Sequence, residues 1–175
     1  GFLAVCRVLA GGRWGGAAVG GAERQVEGRP GASADYAAVL TELSRRAWWP
    51  EEIVHCGVVT GSAEVTEAEL EARGLWSVLG VVQAWGQQGG ERAVRVTVVS
   101  DGMQEVTGGE RLQPAKALVL GVVRVGPQEV VGVESRSVDV EAPAPVAVRG
   151  AQVYAELCRT AMGESVAYRG GYRWV

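Results

Sequence analysis

The order of hydrophobic patterns along this 175-residue chain predicts an α/β fold with a mostly parallel sheet flanked by helices. Three neighbouring segments carry the prediction. Residues 53–59, IVHCGVV, are almost continuously apolar, as a strand covered on both faces is. Leu75, Val78, Leu79, Val82 and Trp85 follow at three- and four-residue steps, one apolar stripe of a helix over residues 75–87 that Gln88, Gly89 and Gly90 end. Val94, Val96, Val98 and Val99 then give a second strand, so strand, helix and strand alternate in the order that builds parallel sheets.

The other elements follow from shorter signals. Residues 2–9, FLAVCRVL, are a short apolar run bounded by glycine and are expected to be the first strand of the sheet. Glycine is so dense over residues 10–31 that regular structure is costly in backbone entropy, which predicts a loop with one ragged strand at 23–27. Ser33 can cap a helix starting at Ala34, where Tyr36, Val39, Leu40 and Leu43 recur at helical spacing, and that helix must end before Pro50. Glu64, Glu67, Glu69 and Glu71 mark a short solvated helix over 65–72, an exposed charged face and not a carboxylate pair for acid and base work. Pro114 suits a first helical turn, so residues 115–123 read as helix. Residues 132–140 alternate as a strand, Pro143 and Pro145 form a turn or linker, and 151–162 form the last helix. Residues 168–175 close the chain as a hairpin turned at Gly170 and Gly171.

Composition bounds the class. At 47% hydrophobic and 21% charged residues the chain suits one globular domain over 1–175 with a single core, neither disordered nor membrane-embedded. A net charge of −3 offers no basic face for nucleic acid. Every apolar run is broken by glycine or charge well short of the ~20 residues of a membrane span, and no basic segment precedes a cleavable apolar one as in a signal peptide. Cys6, Cys56 and Cys158 are few, odd in number and set among apolar neighbours, as buried thiols are, so a reduced, cytoplasmic setting is expected. With Gly1 at its start and a strand-like run at its end, the sequence reads as a piece of a longer polypeptide. Lys116 is the only lysine among abundant Arg, Ala, Gly and Val, a bias of GC-rich bacterial genomes.

The residues that familiar chemistry needs are absent or misplaced. A dinucleotide site needs G-x-G-x-x-G after the first strand so that backbone can approach the pyrophosphate. Gly11, Gly12, Gly15, Gly16, Gly20 and Gly21 do not fall in that pattern, because Arg13 and Trp14 stand where glycine is needed and no amphipathic helix follows. No Gly-Lys-Ser or Gly-Lys-Thr of a phosphate loop occurs. His55, the lone histidine, would have to anchor any triad or zinc site, but Cys56 beside it on a strand points to the opposite face. A packed or capped sheet residue is the better reading of His55, and an apolar strand is the wrong setting for a nucleophilic Cys56. Of the six tryptophans, Trp76 and Trp85 sit within the apolar helix and read as core. Trp48, Trp49 and Trp174 flank segment ends, where they serve either as interface anchors or as packing under loops.

Residues 98–140, VVSDGMQEVTGGERLQPAKALVLGVVRVGPQEVVGVESRSVDV, carry the most specific pattern: a strand ending VVS, then G-E-x-L-x-P-x-K-A, then L-G-x-V-R-V-x-P-Q-E and an R-x-S-x-D strand. DYAAVLTEL, PEEIVHCGVVTG and GLWSVLGVVQAW precede it and ESVAYRGGYRWV ends the chain. In that order these segments resemble the structural, non-catalytic half of the ketoreductase region in modular type I polyketide synthases. Residues 33–175 match nearly throughout, whereas 1–32 match poorly and look like a shortened N-terminal part. Gly126-Pro127 and Val130-Val131 depart from the usual apolar-Pro and Tyr-Pro. The resemblance implies a truncated Rossmann-like fold without a nucleotide-binding site, no catalytic residue, no metal and no cofactor of its own, NADPH binding instead to the catalytic half elsewhere in the module. A working ketoreductase has a tyrosine followed four residues later by lysine or asparagine; Tyr36, Tyr154 and Tyr168 are followed by Leu40, Cys158 and Tyr172, and Tyr172 by nothing.

The implied role is therefore a scaffold, a pseudo-ketoreductase element that packs against neighbouring synthase domains: the catalytic ketoreductase, a methyltransferase or enoylreductase, and the acyl carrier protein. Its expected interdomain surface is Trp48, Trp49, Tyr168, Tyr172 and Trp174, with Tyr168, Tyr172 and Trp174 alternating on one face of the closing hairpin, opposite Arg169 and Arg173 unless Gly170 and Gly171 shift the register. The alternative is a small NADPH-dependent β-ketoacyl reductase with atypical cofactor binding and Tyr154 or Tyr168 as proton donor.

Overall fold

The computed structural model describes residues 33–47, 49–159 and 165–175, together with the backbone of five short strands before them. Those strands are β1 (Arg7–Leu9), β2 (Arg13–Gly15), β3 (Ala18–Val19), β4 (Ala22–Glu23) and β5 (Val26–Glu27). They make two small antiparallel sheets, β1-β2-β5 and β3-β4. The expected first strand at 2–9 is described over Arg7–Leu9 only, where β1 pairs antiparallel with β2 and lies beside β6 without being hydrogen-bonded into the main sheet. Residues 2–6 lie outside the described residues.

The main sheet has five strands in the order β10-β9-β8-β7-β6. β6 (Glu52–Val58), β7 (Val94–Asp101), β8 (Val133–Val140) and β9 (Ser165–Arg169) run parallel, and β10 (Tyr172–Trp174) returns antiparallel at the edge. α1 (Ser33–Arg45) precedes β6, and α2 (Glu67–Glu71), α3 (Ser77–Gln88), α4 (Val119–Glu129) and α5 (Val146–Leu157) run between the strands. This is the mostly parallel, helix-flanked sheet that the alternation of patterns predicts.

Because side chains alternate across a strand, the sheet has two cores. On one face Ile53, Val58, Val94, Val96 and Val98 pack with Tyr36 and Leu40 of α1, Val78, Val82 and Trp85 of α3, and Val119 and Val123 of α4. On the other, Val54, Val99, Val138, Val140, Val166 and Tyr168 pack with Val153 and Leu157 of α5.

Several boundaries depart from the sequence reading for local reasons. A π-helical turn, Ala72–Trp76, joins α2 to α3, and Trp76, one position off the apolar stripe, is half exposed and not core. Trp85 on the stripe is 1% exposed. Thr66 caps α2 through a reciprocal capping box with Glu69, so the acidic run is a helix start as well as a solvated face. The expected helix at 115–123 opens as a 3-10 segment, Pro114–Leu118, and continues as α4 through Pro127 to Glu129. Pro127 has no N–H for the Val123 carbonyl, and the Ser135 hydroxyl of β8 donates to that carbonyl instead, which lets the helix pass the proline. α5 starts at Val146, five residues before expected, because Pro145 fits immediately ahead of a first turn.

Gly132 opens β8 with φ 80°, and a Cβ there would stand 2.3 Å from the Arg92 carbonyl oxygen. Gly132→Ala should therefore destabilise the fold by at least about 2 kcal/mol, combining left-handed strain with a backbone clash. A denaturant midpoint equal to that of the parent chain would contradict this packing.

Candidate functional site

In open parallel sheets, ligands bind outside the carboxyl ends of the strands. Here those ends hold two buried ionic clusters. The first centres on Asp101, the last residue of β7. Its carboxylate accepts the backbone N–H of Thr60 at 3.1 Å and of Gly61 at 2.6 Å, both in the loop after β6, and the ammonium of Lys116. Lys116 also donates to the Thr60 hydroxyl at 2.8 Å and to the Asp101 carbonyl at 2.7 Å, so all three ammonium protons are used. Both side chains of the pair are 1% exposed. The 3-10 segment after Pro114 is what aims Lys116 inward.

The second cluster centres on Asp139 of β8. Its carboxylate accepts the Ser100 hydroxyl at 2.6 Å, the N–H of Met103 at 3.1 Å and of Gln104 at 3.0 Å, and the guanidinium of Arg169 from β9. Arg169 donates further to the Gln104 and Tyr168 carbonyls, at 2.7 and 2.8 Å, and its Nε faces Glu110 at 3.3 Å. The loop between β7 and the 3-10 segment then folds over its own acid. The Glu110 carboxylate accepts the N–H groups of Val106, Thr107, Gly108 and Gly109 at 2.7 to 3.1 Å, and the Thr107 hydroxyl at 2.9 Å. Successive N–H groups of this kind make an anion-binding concavity, and here the anion is the chain's own side chain. The Thr107 N–H foremost, with the other donors, holds Glu110 well below the usual carboxylate range.

His55 sits where the sequence reading placed it, packed in the sheet. Its side chain turns toward Ser77 of α3 and Tyr36 of α1, while Cys56 packs on the opposite face. His55 Nε2 lies 2.7 Å from the Ser77 hydroxyl, which also hydrogen-bonds the Tyr36 hydroxyl. Burial pushes the imidazole down to about 4, so it is neutral at neutral pH. The unfolded chain, with His55 near 6.5, binds the proton more readily, so this group's contribution is complete above about 6.5 and is lost as pH falls to about 4. The loss across that window should be about 3 kcal/mol, and a His55→Gln variant should lose that part of the pH slope. Identical slopes for both proteins between pH 7 and 4 would contradict the burial of a neutral His55.

Of the five residues expected at an interdomain surface, the four that are described are not brought together. Trp48 lies outside the described residues. Trp49 precedes β6 at one edge of the sheet and packs edge-on against Trp85, ring centroids 5.5 Å apart, with the Arg92 guanidinium 4.6 Å from its ring centroid. It lines an open depression of about 510 Å³ with Glu51, Arg95 and Glu134, among others. Tyr172 and Trp174 are at the other edge, on β10, 73% and 44% exposed.

Tyr168 corrects the hairpin expectation. The two-residue turn pairs Arg169 with Tyr172 and Tyr168 with Arg173, so Tyr168 shares a face with Arg173, while Tyr172 and Trp174 share the face of Arg169. Tyr168 is buried under α5 and donates its hydroxyl to Glu156 at 2.6 Å; burial foremost, then that hydrogen bond, pushes the phenol up to about 12. Tyr154, the other tyrosine named as a proton donor, is exposed on α5. Cys56 is half-buried, Cys158 is exposed and not buried as expected, and Cys6 lies outside the described residues. The strand-end clusters were missed in the sequence. Their only signal was the single lysine, Lys116, beside a proline that starts a turn.

Among the described residues, no helix is long and apolar enough to cross a membrane and no cluster of three metal-ligating side chains occurs. No protein-family model matches the chain, and no curated protein matches it in sequence. Solved structures match its fold. One is the adenylation, ketoreductase and pseudo-Asub multidomain structure of a keto acid-selecting NRPS module, with TM-score 0.75 and 20% identity over 83% of this chain and 12% of that one. Another is an N-terminal ketoreductase from the macrolactin assembly line, with TM-score 0.62 and 14% identity over 84% of this chain and 30% of that one. A third is a short-chain dehydrogenase/reductase from Vibrio parahaemolyticus, with TM-score 0.54 and 13% identity over 79% of this chain and 72% of that one. The chain thus spans 12% and 30% of the first two of these structures. At these identities the likeness is one of fold, and that fold is the Rossmann-like sheet of ketoreductases and short-chain dehydrogenases.

Proposed function

We infer that the chain is a non-catalytic structural subdomain of a modular synthase, a pseudo-ketoreductase element that scaffolds neighbouring catalytic domains. One observation carries the reading: the carboxyl ends of β6, β7 and β8 are closed by the chain's own ion pairs, Asp101 with Lys116 and Asp139 with Arg169. The residues there do not fit a dinucleotide. A pyrophosphate needs free N–H donors and bare glycine backbone, whereas the Thr60 and Gly61 donors serve Asp101 and those of residues 106–109 serve Glu110. NADPH binding then belongs to a catalytic half elsewhere in the module, and the cytoplasm is its compartment.

The competing reading, a small reductase with Tyr154 or Tyr168 as proton donor, shares the fold likeness to ketoreductases, but Tyr168 is ill-placed for it. A phenol pushed up to about 12 and committed to Glu156 is a poor acid near neutrality. The partners on the scaffold reading are the adjoining synthase domains: catalytic ketoreductase, methyltransferase or enoylreductase, and acyl carrier protein. The exposed Tyr172 and Trp174 on an edge strand are the surface offered to them. In a polypeptide joining this chain to its catalytic neighbour, Trp174→Ala should weaken the interdomain contact by about 1 to 3 kcal/mol and leave the chain alone within about 0.5 kcal/mol of its parent. Equal destabilisation of both, read by chemical denaturation, would make Trp174 ordinary packing and remove the surface.

A further inference from the structure

The loop that leaves β7 is shaped around an anion. Over residues 106–110, VTGGE, successive backbone N–H groups converge on one carboxylate. Its Oε1 accepts the N–H of Val106 at 3.1 Å and of Thr107 at 2.7 Å and the Thr107 hydroxyl at 2.9 Å, while its Oε2 accepts Gly108 at 2.9 Å and Gly109 at 3.0 Å. Arg169, 5% exposed, adds a cation with Nε 3.3 Å from Oε1. Gly108 lets the backbone take this shape, since its φ of 85° is one that a residue with a Cβ rarely adopts. Backbone N–H groups, a hydroxyl and a guanidinium together are the donor set of a phosphate or carboxylate site. They follow β7, at the carboxyl ends of the parallel strands, where such sheets take their ligands. The frame around them does not depend on the carboxylate. Met103 and Gln104 donate to Asp139, Gln113 donates to the Gly102 carbonyl at 2.9 Å, and Arg169 is held by Asp139 and by the Gln104 and Tyr168 carbonyls.

We propose that residues 106–109 and Arg169 form an oxyanion receptor, for a phosphate or carboxylate group, that Glu110 keeps shut as an internal ligand. The carboxylate in the site is an anion already bound there, and it belongs to the next residue of the same loop. Tethering keeps it at high local concentration, so an outside anion binds only by displacing it. Swinging the Glu110 side chain out opens the site with no change of backbone, and Thr107, Gly108 and Gly109 are exposed, which gives a small anion a short path in. The plug and the scaffold role stand or fall separately, because a catalytic chain would carry the same closed loop and the test below reads neither NADPH nor a partner domain.

Glu110→Ala removes the plug, and formate, the smallest carboxylate, is the first probe. In nitrogen–proton correlation NMR spectra of Glu110→Ala, the Thr107, Gly108 and Gly109 amide signals should move together along one saturable curve toward their positions in the parent. The dissociation constant should lie in the millimolar range, the ceiling for so small a ligand. Inorganic phosphate should compete with formate at the same amides. The parent should bind formate at least about tenfold more weakly, because its own carboxylate holds the site. Adding Thr107→Val to Glu110→Ala deletes the hydroxyl donor and should weaken formate binding by about threefold to tenfold. If Glu110→Ala is unfolded in chloride, formate or phosphate should restore the folded spectrum. The receptor would be overturned by a folded Glu110→Ala whose loop amides ignore both anions, by parent amides that respond equally well, or by an unfolded variant that neither anion restores.

Discussion

Asp101→Ala should destabilise the folded chain by about 3 to 5 kcal/mol, because it strands the Lys116 ammonium in a site where both partners are 1% exposed. The substitution also frees the Thr60 and Gly61 N–H groups, which lose their acceptor. Removing both charges is a different experiment. An Asp101→Ala, Lys116→Met double variant leaves no stranded charge, and its loss should be smaller than that of Asp101→Ala alone. Denaturant unfolding of the parent, the single and the double variants measures the difference. A loss below about 1 kcal/mol for Asp101→Ala would mean that the strand ends are open to water and not closed by this pair.

Trp85→Ala should cost a similar amount, about 3 to 5 kcal/mol, for an apolar reason. Trp85 is 1% exposed at the meeting of α3 with the sheet, takes the edge-on contact of Trp49, and donates its indole N–H to the Arg92 carbonyl at 3.3 Å. Its removal leaves a cavity and an unpaired carbonyl, and it takes away the ring against which Trp49 rests beneath Arg92. Denaturant unfolding should show the loss. Fluorescence should show Trp49 in a more polar environment in the variant than in the parent. A loss under about 1 kcal/mol would indicate that the end of α3 can collapse onto the space.

The parallel sheet and its helices were legible because periodicity reports burial directly. Residues 53–59 are apolar on both sides because β6 is covered on both faces, and the stripe through Trp85 is the side α3 turns to the sheet. What stayed hidden depends on pairing between distant residues. Nothing in the local sequence says that β1 pairs with β2 and stays out of the main sheet, or that the turn at Gly170 and Gly171 sends Tyr168 to the face opposite Tyr172. α4 could be followed past Pro127 only once Ser135, on the next strand, was seen to satisfy the Val123 carbonyl. The strand-end clusters are hidden for the same reason: Asp101 meets residues 60 and 116, and Asp139 meets residues 100 and 169. In the sequence each of these is an ordinary polar residue near a strand end. The orientation of α5 was not legible either: the structure turns most of its apolar residues to solvent and buries Glu156.

On the scaffold reading, the chain's own ion pairs occupy the place where a doubly wound sheet would hold a dinucleotide. Calorimetric titration of the chain with NADPH tests it most directly. The parent chain should show no binding tighter than about 100 μM, on the order of 5.5 kcal/mol. Saturable heat with a dissociation constant below that value, lost on Lys116→Met, would contradict it by showing that Lys116 serves the cofactor and not Asp101.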